Sequence, residues 1–223
     1  MFVVLYRKWF YAVSALLVVA SLASVAVWGL QYGIDFAGGS LIELEYASAR
    51  PTVEMVQKQI AATDVGAFSA RESGDKGFII RTKHLTQEQH DAVISALSKD
   101  AAGKVTGADE KRFDSVGPLL GQEAARKALV SLALVILAIV LFITYAFRQV
   151  SEPVSSWKYG LIAIIALVHD VIIPTGAFAI LGHFQGFEID TLFITALLVI
   201  LGFSIHDTIV VFDRVRENLK HRS

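Results

Sequence analysis

Four long stretches of this sequence are apolar and almost free of charged residues. The first has no charge from residue 9 to residue 34, and the second has none from residue 128 to residue 147. The third and fourth follow Lys158 and Asp190 and are each interrupted by a single His-Asp pair. About 20 apolar residues in a helix are enough to cross a hydrocarbon core roughly 30 Å thick. The pattern therefore predicts an integral membrane protein with four spanning helices.

The first apolar run has an alternative interpretation, because the basic pair Arg7 and Lys8 precedes it as in a secretory signal. The apolar core of a cleaved signal is usually only about 7 to 15 residues long. The run here is longer, so we expect a spanning helix rather than a signal that is removed.

Charged residues concentrate between the first and second runs, where 24 of the 41 Asp, Glu, Lys and Arg residues lie within 31–123. This block therefore has the composition of a soluble domain. The net charge of −1 provides no basic surface for nucleic acid, so no nucleic-acid partner is expected. The absence of cysteine excludes disulfides, thiolate catalysis and cysteine-ligated metal sites.

The orientation in the membrane is predicted from Lys and Arg in the short flanks, because these residues resist translocation. They all fall on one side when four spans are threaded in order: Arg7, Lys8, Arg148, Lys158, Arg214, Arg216, Lys220 and Arg222. The opposite short loop, residues 182–190, contains Glu188 and Asp190 but no Lys or Arg. We therefore expect both termini in the cytoplasm.

The chain therefore divides into alternating aqueous and membrane segments. The predicted segments are a cytoplasmic N-terminus over 1–10, spans over 11–30, 124–147, 159–181 and 190–212, an extracytoplasmic domain with its linkers over 31–123, and a cytoplasmic tail over 213–223. The remaining residues form the short loops between spans.

The soluble block has the pattern of four strands and two helices. Strands are predicted over 40–46, 67–71, 78–82 and 112–116. One helix is opened by Pro51 in its first turn, and the other by a capping box of Thr86 with Gln89. The order β-α-β-β-α-β is that of a ferredoxin-like split unit. The expected fold is an α-helical integral membrane protein with an α+β ferredoxin-like extracytoplasmic domain.

Three motifs follow one another in a distinctive order along the chain. They are GIDFAGGS at residues 33–40, VGPLLG at 116–121, and GFSIHDT at 202–208, the last running into DRVREN at 213–218. Together with LVHD at 167–170, they resemble the SecF family of the resistance-nodulation-division superfamily. SecF proteins are the smaller membrane subunits of the SecD–SecF export accessory, whereas SecD has a much larger extracytoplasmic region.

The resemblance implies a subunit that, with SecD, uses the proton-motive force to help polypeptides leave the SecYEG channel. The implied partners are SecD, SecYEG, a translocating unfolded polypeptide and membrane lipid. No enzymatic activity, cofactor or metal is expected. The alternatives are a non-conducting scaffold that tethers SecD to the channel, and a small-molecule exporter of the same superfamily.

Two features depart from the family pattern. SecF proteins usually have six spans and this sequence has four, so we expect it to be a fragment or a split form. The family usually has Asn at the position of His206. That difference leaves the role of His206 in proton chemistry open.

Two carboxylates lie inside the predicted spans, Asp170 in the third and Asp207 in the fourth. An ionised carboxylate in a membrane costs about 3 kcal/mol or more, and such groups usually mark ion paths. Because burial favours the protonated form, both are candidates for a proton relay, with Asp207 as the main one. The alternative is a carboxylate permanently paired with a buried donor, which would only lock helices together.

A histidine precedes each of these carboxylates, His169 before Asp170 and His206 before Asp207. Neighbours on a helix point about 100° apart, so neither pair is expected to face one another. Each imidazole is a relay candidate because histidine is the residue type that commonly exchanges protons near neutral pH. A packed, neutral, hydrogen-bonded histidine is the alternative for both.

The remaining motif residues are predicted to have structural roles. Asp35 with Gly38 and Gly39 is interpreted as a turn that joins the soluble block to the membrane, in preference to a phosphate-binding loop, because a strand follows it. Asp213 and Arg214 are expected to anchor the end of the fourth span. Gly117, Pro118 and Gly202 complete this structural set. The sequence contains no hydrolase or nucleotide-binding signature, which disfavours an intramembrane hydrolase.

Overall fold

The computed structural model describes residues 5–47, 50–99, 107–146 and 156–220. The chain divides into two compact units, one over residues 33–126 and one that combines residues 1–32 with 127–223. Arg148 and Arg222, which entered the orientation argument, lie outside the described residues, as do the first four residues and the last three.

The elements follow one another in an order that alternates long helices with a small α+β block. They are α1 (Arg7–Trp28), α2 (Ile34–Ala37), β1 (Gly39–Tyr46), α3 (Val53–Ala61), β2 (Phe68–Ser73), β3 (Gly77–Thr82), α4 (Gln87–Leu97), β4 (Ala108–Val116), α5 (Pro118–Ala146), α6 (Ser156–Gln185) and α7 (Thr191–Lys220). Within the described residues, α1, α5, α6 and α7 are long and apolar enough to cross a membrane. The four predicted apolar stretches therefore form four helices of spanning length.

The sheet of the soluble unit has the strand order β2-β3-β1-β4, and every neighbouring pair is antiparallel. With α3 between β1 and β2 and α4 between β3 and β4, this is the predicted split βαβ arrangement. The last strand begins at Ala108, four residues before the predicted start. Apolar and polar residues do not alternate regularly along β4, because it is an edge strand and its register with β1 shifts between Glu43 and Leu44.

Both helices of the soluble unit cover one face of the sheet. The side chains of the core are almost fully buried and come from β1, α3, β3 and α4: Ile42, Leu44, Tyr46, Val56, Ile60, Phe78, Ile80, Val93 and Leu97. Burying one such side chain stabilises a fold by about 1.5–3 kcal/mol. The unit therefore has a hydrophobic core of its own.

Each of these two helices begins at a threonine. The Thr86 hydroxyl accepts from the backbone amide of Gln89, and the Gln89 side chain accepts from the backbone amide of Thr86. The predicted capping box is therefore confirmed. The first helix differs from the prediction, because Thr52 is the cap and Pro51 lies before it rather than inside the first turn. The Thr52 hydroxyl accepts from the amide of Met55 at 3.4 Å, which explains why the cap falls at this residue.

In the membrane unit, α1 packs closely against α6. Ser24 Oγ donates to the carbonyl oxygens of Gly176 at 3.0 Å and of Ser21 at 2.8 Å. A side chain on Gly176 would collide with Ser21, so the close approach requires glycine. Seven residues further along both helices, the ring of Trp28 stacks on His183 with centroids 5.3 Å apart. Because the contacts advance in the same direction on both helices, α1 and α6 run parallel.

Helix α7 runs antiparallel to α6. The ring centroids of Phe178 and Phe193 are 4.4 Å apart near one end, and those of Tyr159 and Phe212 are 5.0 Å apart near the other. Ile143 of α5 joins Tyr159 and Phe212 in a buried cluster at that second end. The middle of the α6–α7 interface contains the polar residues of the candidate site.

Candidate functional site

Asp170 lies on α6 and both of its carboxylate oxygens have a partner. Oδ2 accepts a hydrogen bond from Ser204 Oγ of α7 at 2.5 Å, and Oδ1 lies 2.9 Å from Nδ1 of His169. The side chains of Asp170 and His169 are only 28% and 34% exposed. The contact with Ser204 joins two spanning helices through a polar group.

The prediction that His169 and Asp170 do not face one another is wrong. Their Cα–Cβ bonds diverge as helix geometry requires, but Nδ1 is the ring nitrogen next to the attachment carbon and remains close to the backbone. The Asp170 side chain bends towards it, and the two groups form a hydrogen bond within one helical turn. An ionised Asp170 accepts from a proton on Nδ1, so the carboxylate selects this tautomer.

Ser204 completes this cluster, and its contact with Asp170 was not predicted from the sequence. It lies three residues before Asp207 on α7, yet its hydroxyl hydrogen bonds across to Asp170. The signal available in the sequence was a hydroxyl residue inside an apolar span, one turn before a membrane carboxylate. Its partner on another helix could not be identified from that signal.

Asp207 and His206 are exposed on α7. Neither has a hydrogen-bond or ion-pair partner among the residues that the structure describes. Their exposure contrasts with the face of α7 that packs on α6, which includes the buried Leu197 and Leu201. The structure therefore gives the two candidate carboxylates different surroundings, and no direct hydrogen bond joins Asp170 to Asp207 within the described residues.

Pro174 lies inside α6, one turn after Asp170. Proline has no backbone N–H, so the carbonyl of Asp170 does not receive the hydrogen bond that a helix normally supplies four residues later. Thr175 Oγ1 donates to the next carbonyl, that of Val171, at 2.7 Å. The backbone of α6 is therefore weakened at the residue that carries the carboxylate.

The Gly38-Gly39 turn lies at the start of β1 and contacts the beginning of α5. Both glycines have positive φ, +74° for Gly38 and +132° for Gly39. A Cβ on Gly38 would lie 2.7 Å from Cα of Pro118, and one on Gly39 would lie 2.7 Å from the carbonyl oxygen of Thr82. Asp35 lies just before, in α2, and Gly117 just precedes α5. Backbone fills the space beside both glycines.

The last motif residues lie towards the end of α7. Arg214 Nη1 contacts Glu217 Oε2 at 2.6 Å, and the Asn218 side-chain amide donates to the Arg214 carbonyl at 3.0 Å. Asp213 and Arg214 line a cavity of about 550 Å³ between α5 and α7. Gly202 is exposed on the same helix with open space beside its Cα.

In the soluble unit, His90 forms a second polar cluster that the sequence analysis did not predict. Its ring nitrogens lie 3.1 Å from Asp91 Oδ1 and 3.1 Å from Glu110 Oε2, and its ring packs on Phe113 at a centroid distance of 4.1 Å. Hydrogen bonds from His90, and secondarily from Gln87, lower the pKa of Asp91. Across the described ranges, no three His, Asp or Glu residues come together in a way that could hold a metal ion.

Comparison with known proteins identifies the family. Residues 96–223 match the family model described as protein export membrane protein SecD/SecF, C-terminal, and residues 24–49 match the SecD/SecF GG motif. The chain belongs to the SecD/SecF family. It is an accessory subunit of the Sec protein translocase and a multi-pass protein of the inner membrane, as the resemblance predicted.

Within this family, the chain is similar to SecF subunits. It is 36% identical to protein translocase subunit SecF of Anaerolinea thermophila, with 95% of this chain and 67% of the relative aligned. It is 38% identical to the SecF subunit of Thermobaculum terrenum, with 99% and 71% aligned. These names do not favour the alternative of a small-molecule exporter.

Two solved SecDF structures resemble the fold. The crystal structure of SecDF from Thermus thermophilus, a translocon-associated membrane protein, matches with a TM-score of 0.75 at 28% identity. SecDF in a super-membrane-facing form matches with a TM-score of 0.51 at 26% identity. Each match covers 96% of this chain, which spans only 28% of the SecDF chain. The predicted fold class is confirmed.

Proposed function

We propose that this SecF-type subunit works with SecD to couple the proton-motive force to protein export through SecYEG. The observation that carries the proposal is the pair of carboxylates inside apolar spans, one of them held between α6 and α7 by Ser204. The names of the SecF relatives and the SecDF structure support SecD as the partner. The further partners proposed are the channel, the unfolded polypeptide and surrounding lipid.

The proposed orientation has both termini in the cytoplasm and the α+β unit outside. The parallel packing of α1 and α6 supports it, because two crossings separate parallel helices and bring their N-terminal ends to one side. The basic residues Arg7, Lys8 and Lys158 then flank those two ends on the same membrane face.

The proposed coupling rests on the cost of ionisation inside the membrane. Protonation removes the charge of a carboxylate and changes which helix packing has the lower free energy. A membrane potential supplies about 2.3 kcal/mol per charge per 100 mV, which shifts a two-state equilibrium by tens of fold. The α6–α7 interface is the element proposed to respond, because Asp170 contributes a hydrogen bond to it.

Asp207→Asn in the complete SecD–SecF complex tests this proposal. The amide keeps the size of the side chain and cannot ionise, so assembly should persist while proton-driven stimulation of export is lost. Asp207→Glu should retain part of the stimulation. Glu217→Gln is the matched control, since it removes an exposed carboxylate from the same helix and should export normally.

Two results would count against the proposal. Normal export and proton flux in Asp207→Asn would remove Asp207 from the relay. Failure of Asp207→Asn to assemble with SecD would favour a structural role, as in the scaffold alternative. His206→Asn, which restores the usual family residue, should shift the pH optimum only if the imidazole takes part.

A further inference from the structure

The hydroxyl of Ser204 is directed differently from those of three threonines in the spanning helices. Thr144, Thr175 and Thr195 each donate to the carbonyl four residues earlier in their own helix, at 2.8, 2.7 and 2.9 Å. This is the usual solution for a hydroxyl in an apolar helix. Ser204 instead donates to the carboxylate of Asp170 on α6.

Ser204 has one acceptor in the structure, and helix geometry offers a second to another rotamer of its side chain. One is Asp170 Oδ2, and the other is the carbonyl of Ile200, four residues earlier on α7, which threonines elsewhere in the molecule use in the equivalent way. A hydroxyl carries one proton and two acceptor lone pairs, so it can donate and accept at once. When Asp170 is ionised, Ser204 donates to it; when Asp170 is protonated, Ser204 can accept from it and donate elsewhere.

Apolar side chains enclose this hydrogen bond on both sides along the helices. Leu167, one turn before Asp170 on α6, is 1% exposed, and Leu201, one turn before Ser204 on α7, is 0% exposed. Because α6 and α7 are antiparallel, these leucines lie on opposite sides of the hydrogen bond. Between these two buried leucines, the Ser204–Asp170 hydrogen bond offers a proton a polar route across the interface.

We propose that Ser204 transfers protons between Asp170 and Asp207. The proposal rests on the proposed function and assigns the group that links its two carboxylates. Ser204 and Asp207 are three residues apart on one helix, a spacing that brings side chains within about 5–6 Å at Cβ. In the proposed path, a single water molecule bridges the Ser204 hydroxyl and the Asp207 carboxylate.

The transfer conserves protons and involves no redox change. The Oδ2–H bond of protonated Asp170 breaks as a bond from that proton to Ser204 Oγ forms. The original O–H bond of Ser204 breaks at the same time, and its proton passes through the bridging water to the carboxylate of Asp207. Rotation of the hydroxyl restores its starting orientation. His169, on the other oxygen of Asp170, and His206, beside Asp207, are the neighbouring titratable groups.

Ser204→Ala and Ser204→Thr test the transfer in proteoliposomes that contain the complete SecD–SecF complex and a pH-sensitive dye. Ser204→Ala should lower proton flux roughly tenfold or more, the effect of losing one hydrogen bond to a charged group. Ser204→Thr keeps the hydroxyl and should stay within about twofold of the original flux. Thr195→Ala is the matched control, because it removes a hydroxyl from the same helix away from both carboxylates, and its flux should not change.

A spectroscopic measurement separates proton transfer from a purely structural role. Infrared difference spectra of the complex should show the C=O band of protonated Asp170, identified by its absence in Asp170→Asn. Ser204→Ala should shift that band, and Ser204→Thr should restore it. Unchanged flux in Ser204→Ala, or low flux in both Ser204 variants, would overturn the transfer role.

Failure of this inference is distinguishable from failure of the proposed function. If Asp207→Asn abolishes proton flux while Ser204→Ala leaves it unchanged, the coupling stands and Ser204 has no part in it. If proton flux through the Asp207→Asn complex is normal, the proposed function fails, and the proposed proton transfer from Ser204 to Asp207 fails with it.

Discussion

At the scale of single residues, His90 shows how a buried polar side chain joins elements of the soluble unit. The residue is only 8% exposed and contacts a neighbour on α4 as well as Glu110 and Phe113 on β4. A buried imidazole without partners would destabilise the fold, so these contacts account for its position. They also affect the titration of its neighbour Asp91.

Asp91 should titrate below the ordinary range for aspartate, because His90 and then Gln87 hydrogen bond to its ionised form. Its pKa is lower folded than unfolded, so its contribution to stability is present above the unfolded pKa of about 3.9 and is lost as pH falls through the folded pKa. Carbon-13 NMR of aspartate carboxyls in the detergent-solubilised protein measures this directly. His90→Ala should raise the Asp91 pKa more than Gln87→Ala does; no change in either variant would contradict the assignment.

At the scale of elements, the Gly38-Gly39 turn explains how β1 and α5 can begin beside one another. The turn needs positive φ at both glycines, and the backbones of Pro118 and Thr82 occupy the space where side chains would lie. The motifs around residues 38 and 118 are 80 positions apart in the sequence and form one contact in the fold.

Gly38→Ala should lower the melting temperature of the protein more than Gly74→Ala does. Both glycines have positive φ, +74° and +57°, so both substitutions carry a backbone cost of about 1 kcal/mol or more. Only Gly38 has backbone atoms in the way, since nothing lies within 4 Å of a Cβ on Gly74. Thermal unfolding in detergent measures the difference, and equal shifts for the two variants would show that the contact with Pro118 contributes nothing.

At the scale of the whole molecule, four spanning helices threaded in sequence order place successive connections on opposite sides of the membrane. The parallel direction of α1 and α6 and the antiparallel direction of α7 agree with a chain that crosses the membrane in sequence order. A bilayer offers no hydrogen-bond partners to irregular backbone, so each crossing must be a complete helix.

Reporter fusions test this arrangement. A reporter joined after Ser223 or placed within residues 151–156 should have cytoplasmic activity, because the basic flanks resist translocation. A reporter within residues 100–107 should have extracytoplasmic activity. Cytoplasmic activity of the fusion at residue 103 would reverse the proposed orientation.

The sequence by itself determined which segments have the composition for water and which have the composition for lipid. The four apolar runs predict the spanning helices because lipid excludes unpaired backbone and charge over a fixed thickness. The alternation and capping signals around Thr86 and in β1 predict the βαββαβ order, because strand and helix periodicities are local properties of the chain. Gly38 and Gly39 likewise signal a turn.

Only the tertiary structure decided which polar groups meet. Three contacts join residues from different elements: Ser204–Asp170, Ser24–Gly176 and His90–Glu110. The first two pairs are 34 and 152 positions apart in the sequence. Between spanning helices, hydropathy cannot specify such pairs, because every helix is equally apolar and association depends on close packing and interhelical hydrogen bonds. The pairing of His169 with Asp170 also depended on side-chain rotation, which residue spacing does not encode.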